Sequence, residues 1–461
     1  MLVGIGEEDI TPSVPLPLAG MPGLRVGRGV ESPLMCRVVV LDDGNHRVAL
    51  VTLDLLSMLS STAAEVRDVV GQRGIEPSAV LVSCSHTHSA PYVASLMDGD
   101  PDPGFLDRLL DKVGLATDQA CGTTTSAVLR VGSAAGSDLS FNRRPVYNGE
   151  REEVGTQGPH WVPEFVRVEG PTYEHAQFLW FSDRNGTGLG GVASFACHPT
   201  VVAAAEDSKE LYSADFAGTF TSRLSDEFGG PFAFLQGAAG NLWAIDMSRP
   251  ETANRYGVSS ARSMGESLAK LGQQARIGAR DVVEPRVRTA RRVLRIRLRT
   301  VSWEQVRLAR GYLERGEGRS DEVAFTRAMC GHPYTFYSNS AVIQEWFCRE
   351  AIGMWEWQRR ATARVPLVEE VEVQVIAIGD VAIVGYPCEL FVEHGLRTKT
   401  ESPFATTMVA ELANGWFGYV PTLEAFQHGG YETRLGYQSR LDPTAGDQMV
   451  DTALELLEEL A

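Results

Sequence analysis

Three stretches of the chain share one local pattern: an apolar run, a tight turn, then a second apolar run. Residues 36–41 (CRVVVL) meet residues 48–53 (VALVTL) across Asp-Asp-Gly-Asn at 42–45. Residues 176–197 turn at Asp183-Arg-Asn-Gly186, and residues 371–378 meet 381–384 across Gly379-Asp380. Such runs around Gly, Asn and Asp signal β-hairpins, because those residues tolerate the positive φ that hairpin turns need. Hairpins enforce antiparallel pairing and are incompatible with strict βα alternation. A doubly wound parallel sheet or a TIM barrel is therefore not expected.

Between the hairpins the apolar period changes to that of helices. Residues 61–74, 105–120, 259–275, 303–315, 341–361 and 447–460 carry apolar side chains on one face at helical spacing. The expected class is α+β or mixed-sheet α/β: a single large domain over residues 1–461, with hairpin-rich mixed sheets flanked by helices. Two segments break the pattern. Residues 142–172 are rich in Gly, Pro and charge and read as a long surface loop or lid. Residues 324–364 read as a lid or insertion containing the 341–361 helix. Residues 287–300 alternate Arg with apolar side chains, as in a half-exposed strand with a solvated basic face. No internal sequence repeat, low-complexity tract or linker is evident.

The chain carries 42 Lys and Arg against 59 Asp and Glu, a formal charge of −17. That balance argues against a nucleic-acid surface and against electrostatic attachment to anionic membranes. No long uncharged apolar run suggests a membrane span. The seven cysteines (36, 84, 121, 197, 330, 348, 388) form no C-x-x-C pair. The opening residues have neither a basic nor an apolar leader region. A cytoplasmic chain with free thiols is expected.

The chemistry-bearing candidates lie at the ends of apolar runs. Residues 80–83 lead into Ser85-His86-Thr87-His88-Ser89-Ala90-Pro91. On an extended chain positions i and i+2 share a face, so His86 and His88 can share one site, or simply pack as hydrogen-bonded histidines. The run 194–200 ends on His198-Pro199, which beside His86 offers a third imidazole. Glu389 follows Pro387-Cys388 where a helix is expected to begin, and a helix-dipole role is the plain alternative. Tyr431 follows Gly429-Gly430 and could equally be a packed ring. Asp215 could support a ligand histidine or cap a helix. Cys84, Cys197 and Cys388 lie within two residues of these positions, but buried packing is the reading preferred for each. The H-x-H-x-D-H pattern of metallo-β-lactamases is absent.

Taken in order, these segments resemble the neutral ceramidase family in its N-terminal catalytic domain. The resemblance runs through the opening Val3-Gly-Ile-Gly-Glu-Glu-Asp-Ile-Thr-Pro12, Ser85-His-Thr-His-Ser-Ala-Pro91, Asn142-Arg143-Arg144 and His198-Pro199-Thr200. It continues through Gln236-Gly-Ala-Ala-Gly-Asn241, Pro387-Cys388-Glu389, and the end from Asn414-Gly415 to Gly430-Tyr431-Glu432. It implies a Zn2+ site held by His86, His198, Glu389 and Tyr431. His88 would serve as acid or base, and Arg143 would hydrogen-bond substrate or polarise its carbonyl. The implied reaction is hydrolysis of an amide bond by metal-activated water. The chain departs from the family in having Trp243 at the family's serine position, which should reshape the pocket. It also shows no signal peptide and no C-terminal immunoglobulin-like domain. These departures favour a soluble small-molecule amide over ceramide. The alternatives are acyl or group transfer at the same metal site, or a catalytically inactive binding protein.

Overall fold

A computed structural model of the chain describes residues 1–95, 99–147, 153–154, 165–246, 248–331, 340–361 and 367–461. All three expected hairpins form, and each nucleates a mixed sheet. In the first sheet Met35–Asp42 pairs antiparallel with Arg47–Leu53, and Leu2–Asp9 and Thr125–Ser126 extend it beyond Met35–Asp42. The chain then passes through the helix Ser60–Gly71 and returns as Val80–Cys84, parallel to Arg47–Leu53. The second sheet follows the same order. His175–Ser182 and Gly188–Phe195 form the hairpin, the helix Asp215–Phe228 crosses over, and Phe232–Gln236 returns parallel to Gly188–Phe195. Val128–Ala135 and Arg280–Asp281 complete it. The third sheet joins Val287–Arg297 to the hairpin Val368–Ile378 and Val381–Gly385. After the helix Val392–Glu401 the strand Thr406–Ala410 lies parallel to Val381–Gly385. The fold is thus mixed α/β with one hairpin–helix–strand order used three times, an arrangement with no counterpart in the sequence.

Burial explains why these runs become strands. Leu50 and Leu81 from the first sheet, Val192 and Leu235 from the second, and Ile383 and Met408 from the third are all 0% exposed and pack into one cluster. Strands covered on both faces read as continuous apolar runs, as these do. The helix Pro103–Gly122 starts on Asp102, whose side chain accepts from the Phe105 amide at 2.7 Å. It lies so close on Leu2–Asp9 that a Cβ at Gly4 or Gly6 would strike the carbonyls of Ala120 and Ala116. The helix Trp303–Arg315 opens on a capping box, Ser302 with Gln305, and closes on Gly316 at φ 68°.

Several expectations need correction. Glu389 does not begin a helix: it pairs with Tyr419 in a two-residue bridge, and the helix starts at Val392. The helix Asp215–Phe228 begins at Asp215, in line with the helix-cap alternative for that residue, whereas the helix Glu322–Cys330 was not anticipated. Of residues 142–172, the described part includes Pro145–Tyr147 paired with Phe165–Val168, and 148–152 and 155–164 lie outside the described residues. Its start is not surface loop. Arg144 is 0% exposed, held by Glu169, by Glu432 and by the Gly429 carbonyl. In the 324–364 segment, residues 332–339 and 362–366 lie outside the described residues. The basic strand is half-exposed as expected, with Arg291 on Glu372 and Arg292 on Glu455 and Glu459.

The carboxyl edges of the three parallel pairs meet at Glu411, just past the strand Thr406–Ala410. Its Oε2 accepts from the amides of Ala239 (3.1 Å) and Leu390 (3.0 Å). Its own amide donates to the Gln236 carbonyl at 2.9 Å, and its carbonyl accepts from Ser83 Oγ at 3.2 Å. Burial pushes its carboxyl pKa well up, so the side chain is held protonated. Leaving both amides unpaired would cost about 1–3 kcal/mol each. Glu411→Leu should therefore lower the unfolding free energy measured in urea by about 3 kcal/mol, whereas Glu411→Gln, with an acceptor oxygen in place, should lose less than about 1 kcal/mol. Equal losses in the two variants would show that the bonds do not matter.

Candidate metal centre

His86 and His88 do converge, but not because the segment is extended. The strand Val80–Cys84 ends, Ser85 and His86 donate their amides to Leu53 and Leu55 (2.9 Å each), and His86 turns with φ 66°. Positive φ in a residue other than glycine costs about 1–3 kcal/mol and persists where surrounding structure enforces it. The rings of His86 and His88 then meet edge to face at 4.9 Å. His198 arrives from the second sheet, beyond Gly188–Phe195. The Pro199 carbonyl after it accepts from the His88 amide at 3.2 Å, which ties the two loops together.

All three imidazoles are prepared in the same way. Nδ1 of His86 faces the Leu56 carbonyl at 2.8 Å, that of His88 faces Gly20 at 2.8 Å, and that of His198 faces Ala239 at 3.4 Å. Donation from Nδ1 to a carbonyl fixes the tautomer and leaves the Nε2 lone pair free for a cation. The candidate donor atoms of the three rings lie within 4.8 Å of one another. Nε2 of His86 is 3.0 Å from Nε2 of His198 and 3.3 Å from Glu389 Oε2, while Nε2 of His88 is buried with no protein partner. Burial, and then the neighbouring His86, hold His88 and His198 well below the usual histidine pKa and hence neutral, the state that binds metal.

Glu389 comes from the third sheet, beyond Val381–Gly385. Trp416 Nε1 donates to its Oε1 at 2.9 Å, and Oε2 has no hydrogen-bond partner. Burial raises its pKa, but His86, Trp416 and Tyr419 outweigh that and leave it lowered, so it is ionised. Tyr431 lies beside Tyr419 with ring centroids 5.7 Å apart, and burial pushes its hydroxyl pKa up. The unpartnered Glu389 carboxylate oxygen, with the His86 and His198 imidazoles against it, fits a divalent cation of the zinc type, and the His88 imidazole lies beside that set.

Three expected roles are moved by the geometry. Arg143 is buried and does not line the cavity. Its Nε donates to Glu432 at 2.9 Å, and one Nη donates to the Gly240 carbonyl (2.8 Å) and to Tyr419 Oη (3.2 Å). It thus braces Tyr419, a residue the sequence reading passed over. Trp243 does not reshape the cavity. Its indole donates to Thr200 Oγ1 at 2.8 Å, and its ring packs with Ile245 and Tyr256 away from the cavity wall. Asp215 touches none of the histidines. Its carboxylate accepts from the amides of Val202 and Phe216 (2.8 Å each) and so anchors the chain beyond His198 to the helix it begins. Cys84, Cys197 and Cys388 are buried in separate apolar clusters, as preferred from the sequence.

A cavity of about 710 Å³ leads to the centre. His86, His88, Glu389, Tyr419 and Tyr431 lie among its lining residues, together with Leu56, Trp346, Trp357 and Trp416. Trp416 and Tyr419 belong to the run Gly415-Trp-Phe-Gly-Tyr419, where two aromatics with polar tips sit between glycines. That was the available signal for them.

This architecture, mixed sheets whose carboxyl edges surround a histidine-rich centre, is the neutral ceramidase fold. The crystal structure of neutral ceramidase from Pseudomonas aeruginosa matches with a TM-score of 0.69 over 100% of this chain and 74% of that one, at 18% identity. A ceramidase complexed with C2 matches with a TM-score of 0.70 over 100% and 75%, also at 18% identity. No protein-family profile matches the chain. Among the described residues no helix is long and apolar enough to cross a membrane.

Asp215 offers a pH test away from the histidines. Burial raises its carboxyl from 3.8 to about 6, so the folded state holds a proton that the unfolded state has released. Stability is then lost as pH rises from about 4 to about 6. Relative to the parent chain, Asp215→Asn should gain about 3 kcal/mol across that window, at about 1.4 kcal/mol per pKa unit. Denaturation midpoints measured across the window check it, and a pH-independent difference would refute the assignment.

Proposed function

We propose that this chain is a zinc-dependent hydrolase of an amide bond, acting on a soluble small-molecule substrate. The observation that carries the reading is the crowding of the His86 and His198 imidazoles, each with Nδ1 turned to a backbone carbonyl, beside the unpartnered carboxylate oxygen of Glu389. The likeness to ceramidases supports an amide substrate.

His86, His198 and Glu389, which crowd one another at 3.0 and 3.3 Å, would hold the ion, with the Tyr431 hydroxyl as a further donor. Zinc bound there supplies Lewis-acid polarisation of the scissile carbonyl and lowers the pKa of water toward neutrality. His88 is the most exposed of the three histidines, at 7% against 2% and 1%, and its Nε2 is free. It carries a proton to the leaving nitrogen. Tyr419, braced by Arg143, presents its hydroxyl to the same space and steadies the charge that develops on the carbonyl oxygen. Trp346, Trp357 and Trp416 give the cavity apolar surface against which a substrate packs. Transfer of the acyl group to an amine loses its motive, because Trp243 lies outside the cavity wall.

Metal analysis separates the roles. His86→Ala and Glu389→Ala should lose zinc and turnover together. His88→Ala should keep zinc and lose about 10²–10⁴-fold in turnover on an amide substrate panel, the usual worth of a general acid or base. Zinc-free purified protein, or a metal-free His86→Ala variant with full activity, would overturn the proposal.

A further inference from the structure

The residues that line the cavity include polar groups that neither the metal centre nor the fold uses. Gln438 is 4% exposed and lines the cavity, and both its Oε1 and its Nε2 are buried without a hydrogen-bond partner. Trp346, also 4% exposed and lining the cavity, has an unpartnered indole Nε1. The two come from different elements. Trp346 lies on the helix Ser340–Ala361, and its ring packs in the cluster that Tyr431 joins. The Gln438 carbonyl accepts from the Tyr419 amide at 2.6 Å, which sets its side chain beside the catalytic tyrosine. Glu350, one helical turn beyond Trp346, connects them: its Oε2 accepts from the Tyr437 amide at 2.8 Å.

Buried polar groups left unpaired cost about 1–3 kcal/mol each, so such a set is retained where a ligand satisfies it. The donor count selects the ligand. A carboxylate would satisfy Gln438 Nε2 and Trp346 Nε1, but it would leave Gln438 Oε1 unpaired and face Glu350. A cation would leave both donors unpaired. A planar amide answers both kinds of group at once, its carbonyl accepting from Nε2 and Nε1 and its N–H donating to Oε1.

We propose that Gln438 and Trp346 form a specificity subsite for a second amide or carboxamide group of the substrate, apart from the bond that is cleaved. The inference rests on the amide-hydrolase reading only for the word substrate; the subsite itself is a matter of binding.

The test compares N-acetyl-4-aminobutanamide with N-acetyl-4-methylpentylamine, in which an isopropyl group replaces the carboxamide. Calorimetry with the metal-loaded chain should show the carboxamide probe binding at least about tenfold more tightly, and a site built to pair polar groups rejects the apolar analogue on this principle. Gln438→Met should abolish the preference. Trp346→Phe, which keeps the ring and removes the N–H, should reduce it. Gln438→Met should also raise Tm, because it removes two unpaired buried atoms, whereas a structural glutamine would lower it. Equal binding of the two probes, or a Gln438→Met variant with lowered Tm and unchanged preference, would overturn the proposal. Binding preference without cleavage of either probe would leave the subsite standing and count against the hydrolase reading alone.

Discussion

The centre depends on one buried carboxyl. Glu411 sits where the parallel pairs of three sheets end, and its amide, carbonyl and Oε2 make four hydrogen bonds to three segments: Ser83 before His86, Gln236 and Ala239 behind His198, and Leu390 next to Glu389. Each expected zinc ligand apart from Tyr431 is thereby tied within a few residues to the same residue. The strand ends could otherwise slide relative to one another. A neutral acid whose oxygen takes two amide protons holds them in place at low dielectric, where such bonds are strongest. Asn414 adds a second tie between the first and third sheets. It exchanges main-chain and side-chain bonds with Val82, and its amide group reaches Gln374.

Much of this was legible from local pattern, and what was not has physical reasons. The hairpins could be read because turn chemistry is local: Asp183-Arg-Asn-Gly186 needs only its own residues to announce a reversal. His86, His198 and Glu389 stood out as candidates because each follows an apolar run, but only the resemblance joined them into one set. The order that links the three sheets could not, since hairpin, helix and parallel strand recur with no repetition of residues. Glu411 was also hidden. An acidic residue after an apolar strand ordinarily faces water, and only long-range packing makes this one a joint. Arg143 was placed in the chemistry on resemblance, and its Nε and one Nη are bonded to Glu432, Gly240 and Tyr419.

The shift of attention from Arg143 to Tyr419, and of Trp243 away from the cavity, changes what distinguishes this chain. Its difference from the family pattern at the serine position lies behind the site, in the packing around Thr200 and Tyr256. The helix Ser340–Ala361 brings Trp346, Glu350 and Trp357 to the cavity. The floor of the site and its wall are thus built by separate parts of the chain.

That separation says how such a chain can diverge. The metal-binding donors stand on the ends of strands whose spacing is set by a common apolar core, so their positions are inherited from packing that tolerates exchange among Val, Leu and Ile. The wall rests on a separate helix whose Trp346 and Phe347 also pack against Tyr431, so a change there reaches one expected donor and leaves those at the strand ends where the core holds them. The fold itself is shared at 18% identity.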